Sequence, residues 1–380
     1  METADICIVG AGMAGASIAY HVAPQARVLL LEREPHVAFH SSGRSAAMYT
    51  PQYGSLVIRR LTAGSGPFVR EPPAGFAATP LLTARGFLTI GAADERALLA
   101  LHVSRAAATG ATLEPLTGAE ARALVPALRP GAADWALYDR DAMDLDVEAL
   151  LQGFLRGARS QGARVVTSGE VLEIKADDGR WRVRTAEFEV RADVVVNAAG
   201  AWADELATRA GIAPLGLVPQ RRTAFVFDAP AGVDCVHWPM VSDVEERFYF
   251  KPDAGRLLGS LAEEVPSAPC DAQPDDLDVA TAVDRIEQAV DFSIRRVVRS
   301  WTGLRTFAAD RDPVSGFEPG TGGFYWHAAL GGYGIQTAAA LGEFAAAQIL
   351  GRDLPAALVA RGLDAAQLSP ARLRGGILLR

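Results

Sequence analysis

The beginning of the chain constrains its fold more than any other stretch, because a strand, a glycine-rich turn, a helix and a second strand follow one another there. Residues 5–9 are almost all apolar and predict a strand buried on both faces, and residues 27–31 predict a second such strand. The turn covers residues 10–15, and a helix is predicted from about residue 14 to residue 22. This order is typical of a βαβ unit.

The turn has the glycine spacing of a dinucleotide-binding site. Gly10 would allow the tight turn out of the strand, Gly12 the close approach of the backbone to a pyrophosphate, and Gly15 the close packing of helix on sheet. The phosphates would lie at the helix N-terminus, where free N–H groups and the helix dipole favour negative charge. Glu32, at the end of the second strand, would accept hydrogen bonds from ribose hydroxyls and repel the extra phosphate of NADP. These features predict a dinucleotide site without choosing between NAD and FAD.

Two later turns of small residues favour FAD. A predicted strand at 193–197 runs into the turn 198–202, and a predicted strand at 324–329 is followed by the turn 331–334. Because FAD is long, its isoalloxazine end needs a contact far from the pyrophosphate. A helix predicted from Ile335 to Leu350 could point its positive end at the flavin N1–C2 oxygen region. Either turn alone is also compatible with an ordinary connection between strand and helix.

The remaining pattern predicts an α/β protein with two domains that interleave along the chain. A helix at 147–159 and a hairpin at 171–175 and 181–185 continue the first domain, whereas alternating strands at 223–227, 248–251 and 257–261 predict an antiparallel sheet. We therefore expect a Rossmann-like FAD-binding domain with a parallel sheet and an inserted α+β substrate domain with an antiparallel sheet. The first would comprise residues 1–80, 145–215 and 300–380, and the second residues 81–144 and 216–299.

Composition excludes several classes of protein. The net charge of −8 among 380 residues argues against a nucleic-acid binder, which usually carries a basic face. The three cysteines lie far apart, and the six histidines show no metal-ligand spacing, so neither a disulfide framework nor a metal site is expected. No apolar run is long enough to span a membrane, and the N-terminus has no signal-peptide pattern. We expect a cytoplasmic protein without a transmembrane segment.

Several segments together resemble the D-amino-acid oxidase and glycine oxidase superfamily. They are His-Ser-Ser-Gly-Arg-Ser-Ala-Ala at 40–47, Asn-Ala-Ala-Gly-Ala-Trp at 197–202, Trp-Thr-Gly-Leu-Arg at 301–305 and Gly-Gly-Tyr-Gly-Ile-Gln-Thr at 331–337. Within this superfamily the chain is most similar to bacterial D-arginine dehydrogenases, over nearly its whole length. The resemblance implies a flavoenzyme that oxidises the Cα–N bond of a D-amino acid. Non-covalent FAD is also implied, since no cysteine lies near residues 301–311, where related amine oxidases carry their flavin-linking cysteine.

The resemblance further implies which residues contact FAD. They come from the three turns, from the loop after the second strand and from the segment around residue 303. The set is Gly10, Gly12, Ala14, Gly15, Glu32, Arg33, Ser41, Ser42, Gly43, Arg44, Ser45, Ala46, Ala47, Val171, Ala199, Gly200, Trp202, Gly303, Arg305, Gly331, Gly332, Tyr333, Gly334, Ile335, Gln336 and Thr337.

Arginine is the residue best suited to hold the α-carboxylate of an amino acid, because its planar fork donates two parallel charge-assisted hydrogen bonds. Arg222 and Arg305 are the candidates, although alternation along the strand leaves open whether Arg221 or Arg222 faces the site; the family pattern favours Arg222. Tyr249 is a further candidate donor to the carboxylate, and Tyr53 is a candidate cover for the substrate. We assign these four catalytic roles as predictions, with core packing as the alternative for each tyrosine.

The predicted substrate pocket consists of Met48, Phe87, Met240, Gly332 and Gln336. D-Arginine dehydrogenase-like chains have a glutamate where this chain has Phe87 and a histidine where it has Met48. Because a buried cation without a partner is costly, the sequence predicts a preference for apolar D-amino acids. The alternative is D-arginine, with Asp94 or Glu95 supplying the missing negative charge from a shifted loop.

The predicted reaction transfers hydride from Cα to the flavin, and the imino acid then hydrolyses to a 2-keto acid and ammonia. Positioning carries the rate, and no general base is assigned; His327 is expected to be a core or capping residue, and His40 part of the flavin loop. The electron acceptor is unknown, and the resemblance favours a quinone or carrier over oxygen. Alternatives are a glycine, sarcosine or other secondary-amine oxidase, a 2-hydroxy-acid oxidase on the same arginines, and a non-catalytic flavin-carrying subunit.

Overall fold

A computed structural model describes residues 2–107, 112–230 and 232–374. Its strands, in chain order, are β1 (Glu2–Val9), β2 (Val28–Leu31), β3 (Met48–Tyr49), β4 (Leu82–Ala84), β5 (Phe87–Gly91), β6 (Glu114–Thr117), β7 (Trp135–Asp139), β8 (Met143–Leu145), β9 (Arg164–Val166), β10 (Glu173–Asp177), β11 (Arg180–Arg184), β12 (Glu189–Asn197), β13 (Val218–Phe227), β14 (Met240–Asp243), β15 (Tyr249–Asp253), β16 (Arg256–Ser260), β17 (Val265–Pro266), β18 (Val297–Phe307), β19 (Val314–Phe317) and β20 (Phe324–Ala328). Its α-helices are α1 (Met13–Val22), α2 (Leu56–Arg70), α3 (Arg96–Ala107), α4 (Gly118–Leu124), α5 (Val147–Ser160), α6 (Ala203–Arg209), α7 (Asp276–Ala289), α8 (Ala338–Ile349), α9 (Ala356–Val359) and α10 (Ala365–Leu368).

The first sheet is the predicted nucleotide-binding layer. Its strands follow the order β10-β11-β12-β1-β2-β9, with β20 beside β12 and β19 beside β20. β1 pairs in parallel with β2 and β12, and β12 pairs in parallel with β20, so the carboxyl ends of these strands meet at one edge. The apolar strands and the helices α1, α5 and α8 enclose one of the main hydrophobic cores. The α/β class and the Rossmann-like layer are confirmed.

The second sheet follows the order β17-β13-β16-β15-β14-β5-β7-β6, with β18 paired to β13. The sheet is antiparallel, as expected, except in one place, where β14 and β5 run parallel and pair Met240 with Phe87. These two strands come from different chain segments, so no hairpin forces them to be antiparallel. β18 lies in this sheet, although residues 300–307 were assigned to the FAD-binding domain. The rest of the domain division stays a prediction.

The last long helix begins later than the sequence indicates. α8 begins at Ala338 and not at Ile335, because residues 331–337 form consecutive turns in which the Thr337 N–H donates to the Tyr333 carbonyl. The first hairpin strand likewise begins at Glu173 and not at Val171. Within the described part of the chain, no helix is long and apolar enough to cross a membrane.

Candidate active site

A large cavity, here called the first cavity, lies along the edge where β1, β12 and β20 end. Gly10 and Gly12 line it directly after β1, and Ala199 and Gly200 line it after β12. α1 begins at Met13, whose N–H donates to the Ser42 hydroxyl 3.0 Å away, so the loop 41–44 closes over the N-terminus of this helix. The strand–turn–helix pattern of the sequence thus places a helix N-terminus and unobstructed backbone at the cavity wall, as anion binding requires.

Glu32 and the residues beside it form one end of the first cavity. The Glu32 carboxylate is buried and accepts hydrogen bonds from the N–H groups of Ala11 and Glu34, at 2.9 and 3.0 Å. The Trp202 ring lies against the guanidinium of Arg33, 4.8 Å from the ring centroid, and its ring centroid is 4.6 Å from that of His40. A fixed carboxylate and an aromatic face therefore stand together where a nucleoside would need both.

The cavity fits a dinucleotide on two structural criteria. A Cβ at Gly10, where φ is +106°, would approach the Ala198 carbonyl oxygen to 2.3 Å, and a Cβ at Gly12 would lie 3.1 Å from the Ser42 hydroxyl. The wall therefore depends on the absence of side chains at these positions. In addition, the buried Thr306 hydroxyl lines the cavity and has no hydrogen-bond partner among the described residues. Such a group requires a ligand partner, because an unsatisfied buried hydroxyl is costly.

Most of the residues predicted to contact FAD line the first cavity. They are Gly10, Gly12, Ala14, Glu32, Arg33, Ser41, Ser42, Arg44, Ser45, Ala46, Val171, Ala199, Gly200, Trp202, Gly303, Arg305, Gly331, Gly332, Gly334 and Ile335. None of the three cysteines lies in this wall. Non-covalent attachment itself stays a prediction.

Six of the predicted contacts lie elsewhere. Ala47 and Gln336 line a neighbouring cavity, and Tyr333 and Thr337 are buried in the turns before α8. The other two are glycines that serve the packing of the backbone. A Cβ at Gly15 would approach the Gly10 carbonyl oxygen to 2.0 Å, and a Cβ at Gly43 would approach the Ala38 carbonyl oxygen to 2.4 Å. The cavity wall also contains residues that the sequence did not single out, among them Met13, Glu170, Glu205, Arg209, Thr306 and Leu330.

The neighbouring cavity, here called the second cavity, lies between the second sheet, the loop after β3 and α3. All five predicted pocket residues, Met48, Phe87, Met240, Gly332 and Gln336, line it. The two cavities share a wall, here called the junction, which consists of Ser45, Ala46, Arg222, Tyr249, Arg305 and Gly332. Three of the four residues predicted to be catalytic therefore lie at the boundary between the two cavities. The fourth, Tyr53, lines the second cavity but not the first.

The two arginines at the junction belong to neighbouring strands of one sheet. β13 and β18 run antiparallel, with Gln220 opposite Arg305 and Arg222 opposite Gly303. Arg222 is two residues from Gln220, so both guanidinium groups leave the sheet on the same face as diagonal neighbours. This register answers the question of face that the sequence left open: Arg222 lines both cavities, whereas Arg221 donates to the Gln273 carbonyl outside them.

The guanidinium groups differ in their partners. The Arg222 Nε donates to the Glu263 carbonyl at 2.9 Å, and its Nη2 lies 3.5 Å from the Glu264 carboxylate. Arg305 is half-buried and has no hydrogen-bond or ion-pair partner in the parts of the chain that the structure describes. Burial, and after it the like charge of Arg305, lowers the pKa of Arg222. A bound anion would offset the free-energy cost of burying the positive charge of Arg305, and it would also offset the repulsion between the two arginines.

Two tyrosines complete the junction and its surroundings. Tyr249 is buried, and its hydroxyl has no partner within residues 2–107, 112–230 and 232–374. Tyr53 donates to the Glu246 carboxylate at 3.2 Å and packs its ring 5.2 Å from that of Tyr333. Burial raises the pKa of Tyr53, so this hydroxyl stays protonated. Tyr249 is thus the tyrosine that is free to donate to a ligand at the junction.

The wall of the second cavity is more polar than the sequence indicates. Met48, Phe87 and Met240 do pack together around Tyr249, as the predicted apolar pocket requires. The same cavity, however, is also lined by Asp139, Asp243 and Glu246, along with Thr50, Arg59, Thr89, His102 and Ser242. No local pattern marks these residues. Thr89, Asp139, Ser242 and Asp243 are brought together by the pairing of β5 with β7 and β14, and the others come from α2, α3 and the segments after β3 and β14.

All three carboxylates are already engaged within the protein, Glu246 by the Tyr53 hydroxyl. Asp139 is buried and accepts hydrogen bonds from the Thr50 hydroxyl and the Asp141 N–H, each at 3.1 Å, and burial raises its pKa. Asp243 forms an ion pair with Arg247.

The shifted-loop alternative for D-arginine finds no counterpart in the described second cavity. Asp94 and Glu95 are absent from its wall. Glu95 is occupied elsewhere, because its carboxylate binds Arg247 at 2.6 Å and accepts the Ala92 N–H at 2.8 Å. A side chain held by two partners outside the cavity is not available to a substrate within it.

Comparison with known proteins gives a consistent result. A family model described as FAD dependent oxidoreductase matches residues 5–348. FAD-dependent oxidoreductase domain-containing protein 1 of Bos taurus is 24% identical, over 92% of this chain and 82% of that protein. Mitochondrial dimethylglycine dehydrogenase of Mus musculus is 25% identical, over 94% of this chain and 44% of that protein. The crystal structure of glycine oxidase from Geobacillus kaustophilus has a TM-score of 0.85 and 24% identity, and the match covers 98% of this chain and 99% of that one. The last similarity shows that the fold is shared.

Proposed function

Because the chain belongs to the family of FAD-dependent oxidoreductases and uses FAD as its cofactor, we propose that it oxidises the Cα–N bond of an amino acid whose carboxylate binds Arg305 and Arg222. The observation that carries this proposal is the unpartnered, half-buried guanidinium of Arg305 beside a second buried arginine at the junction. Two guanidinium groups on one sheet face bind a carboxylate through charge-assisted hydrogen bonds. The Tyr249 hydroxyl is placed at the same wall to donate a further hydrogen bond.

This binding mode sets the orientation of the substrate. With its carboxylate at the junction, the substrate has Cα at the boundary of the two cavities and its side chain in the second cavity. Bound FAD would supply the acceptor for the hydride that leaves Cα. The substrate nitrogen loses a proton to water and the C–N bond becomes C=N. Addition of water to this bond then releases a 2-keto acid and ammonia. The arginines and Tyr249 contribute by holding Cα in place, which is a contribution of orientation.

We propose a D-amino acid with an apolar side chain as the substrate. The contact of Met48, Phe87 and Met240 around the junction supports an apolar group next to Cα. The choice of the D-enantiomer is supported only by the resemblance of residues 40–47, 197–202, 301–305 and 331–337 to D-amino-acid-oxidising enzymes. The electron acceptor that we propose, a quinone or carrier, has the same support.

An N-methylated amino acid, either the secondary amine sarcosine or the tertiary amine dimethylglycine, is the second candidate. It is favoured by the similarity to dimethylglycine dehydrogenase over 94% of this chain. An N-methyl group on a carboxylate-bound substrate would have to fit near Tyr53 and Met48, which line the second cavity.

The test is a screen in which loss of visible flavin absorbance is followed without oxygen. The proposal expects D-leucine, D-methionine and D-phenylalanine to reduce the flavin, and L-leucine and D-arginine to do so much more slowly. Isopentylamine, which is leucine without its carboxylate, should leave the flavin oxidised because nothing would engage the arginines. Sarcosine or dimethylglycine leading the series would favour the second candidate. Reduction by isopentylamine as fast as by D-leucine would overturn the carboxylate-binding role, and no reduction by any amine would indicate a flavin-carrying subunit.

Reoxidation separates the two classes of acceptor. The substrate-reduced protein is mixed with oxygenated buffer, or with a soluble quinone analogue, in a stopped-flow instrument. Faster return of the flavin absorbance with the quinone supports a dehydrogenase, whereas fast return with oxygen would identify an oxidase.

A further inference from the structure

A histidine at the end of β20 lies in the wall of the first cavity, away from the junction. His327 is 1% exposed, and it lines this cavity together with the residues that follow it. Its Nδ1 is 3.1 Å from the Ser315 hydroxyl. No partner for its Nε2 is found in the described ranges, and the residue lines the first cavity. A ligand group in this cavity could be the partner of this nitrogen.

A row of buried hydrogen bonds determines what kind of group this nitrogen can meet. The Tyr325 hydroxyl donates to Gln348 Oε1 at 3.1 Å, and the Ser315 and Tyr325 hydroxyl oxygens are 2.9 Å apart. The hydroxyl group of Tyr325 has one hydrogen, which it donates to Gln348, so Ser315 must be the donor in its contact with Tyr325. Ser315 then has no hydrogen left for His327, and Nδ1 must be the donor in their contact. A neutral imidazole with its hydrogen on Nδ1 has a lone pair on Nε2.

The charge state of this histidine supports the same assignment. Burial lowers the pKa of His327 to about 3, so the ring is neutral at any pH at which the protein would work. Nε2 is therefore an acceptor in a residue that lines the first cavity, and a ligand partner for it has to be a donor. Phosphate oxygens only accept hydrogen bonds, which excludes the pyrophosphate as that partner.

The position of His327 along the cavity points to one part of the cofactor. β20 pairs with β12 at Trp326 and Asn197, and β12 pairs with β1 at Asn197 and Val9, so His327 lies at the level where the glycine-rich turn begins. In the other direction, Gly332 already belongs to the junction. His327 thus stands between the pyrophosphate end and the isoalloxazine end of the first cavity. The ribityl chain, with its hydroxyl groups, is the part of FAD that joins these ends.

We infer that His327 Nε2 accepts a hydrogen bond from a ribityl hydroxyl of FAD, and that Ser315, Tyr325 and Gln348 hold the imidazole in the tautomer that can do so. His327 is then a cofactor-binding residue, and the other three are positioning residues that do not touch FAD. The inference depends on FAD binding, which follows from the family, and not on the nature of the substrate.

The main experiment measures FAD affinity by titrating the apoprotein and following flavin fluorescence. His327→Asn keeps an amide N–H in place of Nδ1 for Ser315 and removes the acceptor at Nε2. We expect its Kd for FAD to rise about tenfold, which is the effect of one buried hydrogen bond with a partner left unsatisfied. A Kd equal to that of the wild-type protein would overturn the inference.

FAD analogues that each lack one ribityl hydroxyl separate a direct contact from a general weakening. For one analogue, the wild-type protein should lose about tenfold in affinity and the His327→Asn protein should lose nothing further. If every analogue weakens both proteins by the same factor, His327 does not contact the ribityl chain. A double-mutant cycle of this kind isolates the pair interaction.

A nitrogen-15 NMR spectrum of the histidine side chains tests the tautomer without any variant that has to fold. The wild-type apoprotein should show two buried neutral imidazoles, those of His21 and His327, and only the His327 imidazole, protonated at Nδ1, should have an Nε2 resonance that shifts when FAD is added. A proton on Nε2, or a resonance unaffected by FAD, would overturn the inference. Neither measurement involves an amino-acid substrate, so its outcome is independent of the screen that tests the proposed function.

Discussion

The first and the second cavity lie side by side and share the junction, yet they are built in opposite ways. Glycine, alanine and serine make up nearly half of the wall of the first cavity, and many of them lie in the turns directly after β1, β12 and β20. Long side chains from β5, β7, β14 and α3 dominate the wall of the second. A cofactor shared by a whole family can be bound by backbone, whereas a substrate has to be distinguished from others by side chains. The comparison predicts that substitutions in the two cavities affect different measurements.

The largest effect is expected at the junction. Arg305→Met should lower kcat/KM about a thousandfold, because two charge-assisted hydrogen bonds of roughly 2 kcal/mol each are lost from the carboxylate. The Kd for FAD should change little, since the arginine would act on the substrate. Steady-state kinetics and FAD titration on the same preparation make the comparison.

The matched control for this substitution is Arg221→Met, which removes a guanidinium from the same pair of strands but outside both cavities. Its kcat/KM should be close to that of the wild-type protein. Equal losses of kcat/KM in the two variants would show that the reaction depends on the positive charge of the sheet and not on a contact between Arg305 and the carboxylate.

The next effect belongs to the first cavity. Gly10→Ala should raise the Kd for FAD about a hundredfold, since its Cβ would approach the Ala198 carbonyl oxygen to 2.3 Å and displace the turn that faces the pyrophosphate. Fluorescence titration measures the Kd. Gly211→Ala is the control, because Gly211 also has a positive φ, +72°, but no atom lies within 4 Å of its added Cβ. Similar Kd values in both variants would contradict the role of crowding.

A substitution at Gly332 tests which of the two cavities depends more on this residue, because Gly332 lines both of them. A Cβ there would lie 2.9 Å from Arg305 Nη1 and 3.0 Å from its Cζ, so Gly332→Ala should push the guanidinium aside. We expect KM to rise about tenfold, equivalent to about 1.4 kcal/mol, with a smaller change in FAD affinity. Gly322→Ala is the control, since nothing lies within 4 Å of its added Cβ. A change in FAD affinity alone would place Gly332 functionally in the first cavity only.

The smallest effect concerns stability. Burial raises the pKa of Asp139 in the folded protein above its value in the unfolded chain, so the folded state binds the proton more tightly. The contribution of this tighter proton binding to the free energy of unfolding is complete at pH values below the pKa of the unfolded chain. It is lost as the pH rises through the pKa of the folded protein. Asp139→Asn should therefore gain about 1 kcal/mol over the wild-type protein at pH 8 and less at pH 4. Urea unfolding at both values measures this difference, and an equal or larger gain at pH 4 would contradict the assignment.

The two cavities also differ in how far the sequence reveals them. Gly10, Gly12 and Glu32 were predicted from spacing within one βαβ unit, because contacts within such a unit are local in the chain. Asp139 and Glu246 were missed because pairing between distant strands brings them to the second cavity, which no local pattern indicates. Asp139 is placed by the pairing of β7 with β5, and Glu246, which follows β14, by the parallel pairing of β14 with β5. The predicted start of α8 was also wrong. Residues 331–337 form turns that lead directly into the helix and include a hydrogen bond between residues four apart, so the sequence does not separate them from a first helical turn.

Arg222 and Arg305 stand on β13 and β18, two strands joined by a long antiparallel ladder. Their separation is consequently fixed by backbone hydrogen bonds, and neither guanidinium depends on a mobile loop for its location. In the proposed binding mode, this pair would hold the carboxylate of the ligand at a fixed position, and specificity for different ligands would depend on the side chains at the other end of the second cavity. New substrate preferences in such a protein would evolve by substitution of the side chains far from the junction, while the arginine pair stays unchanged.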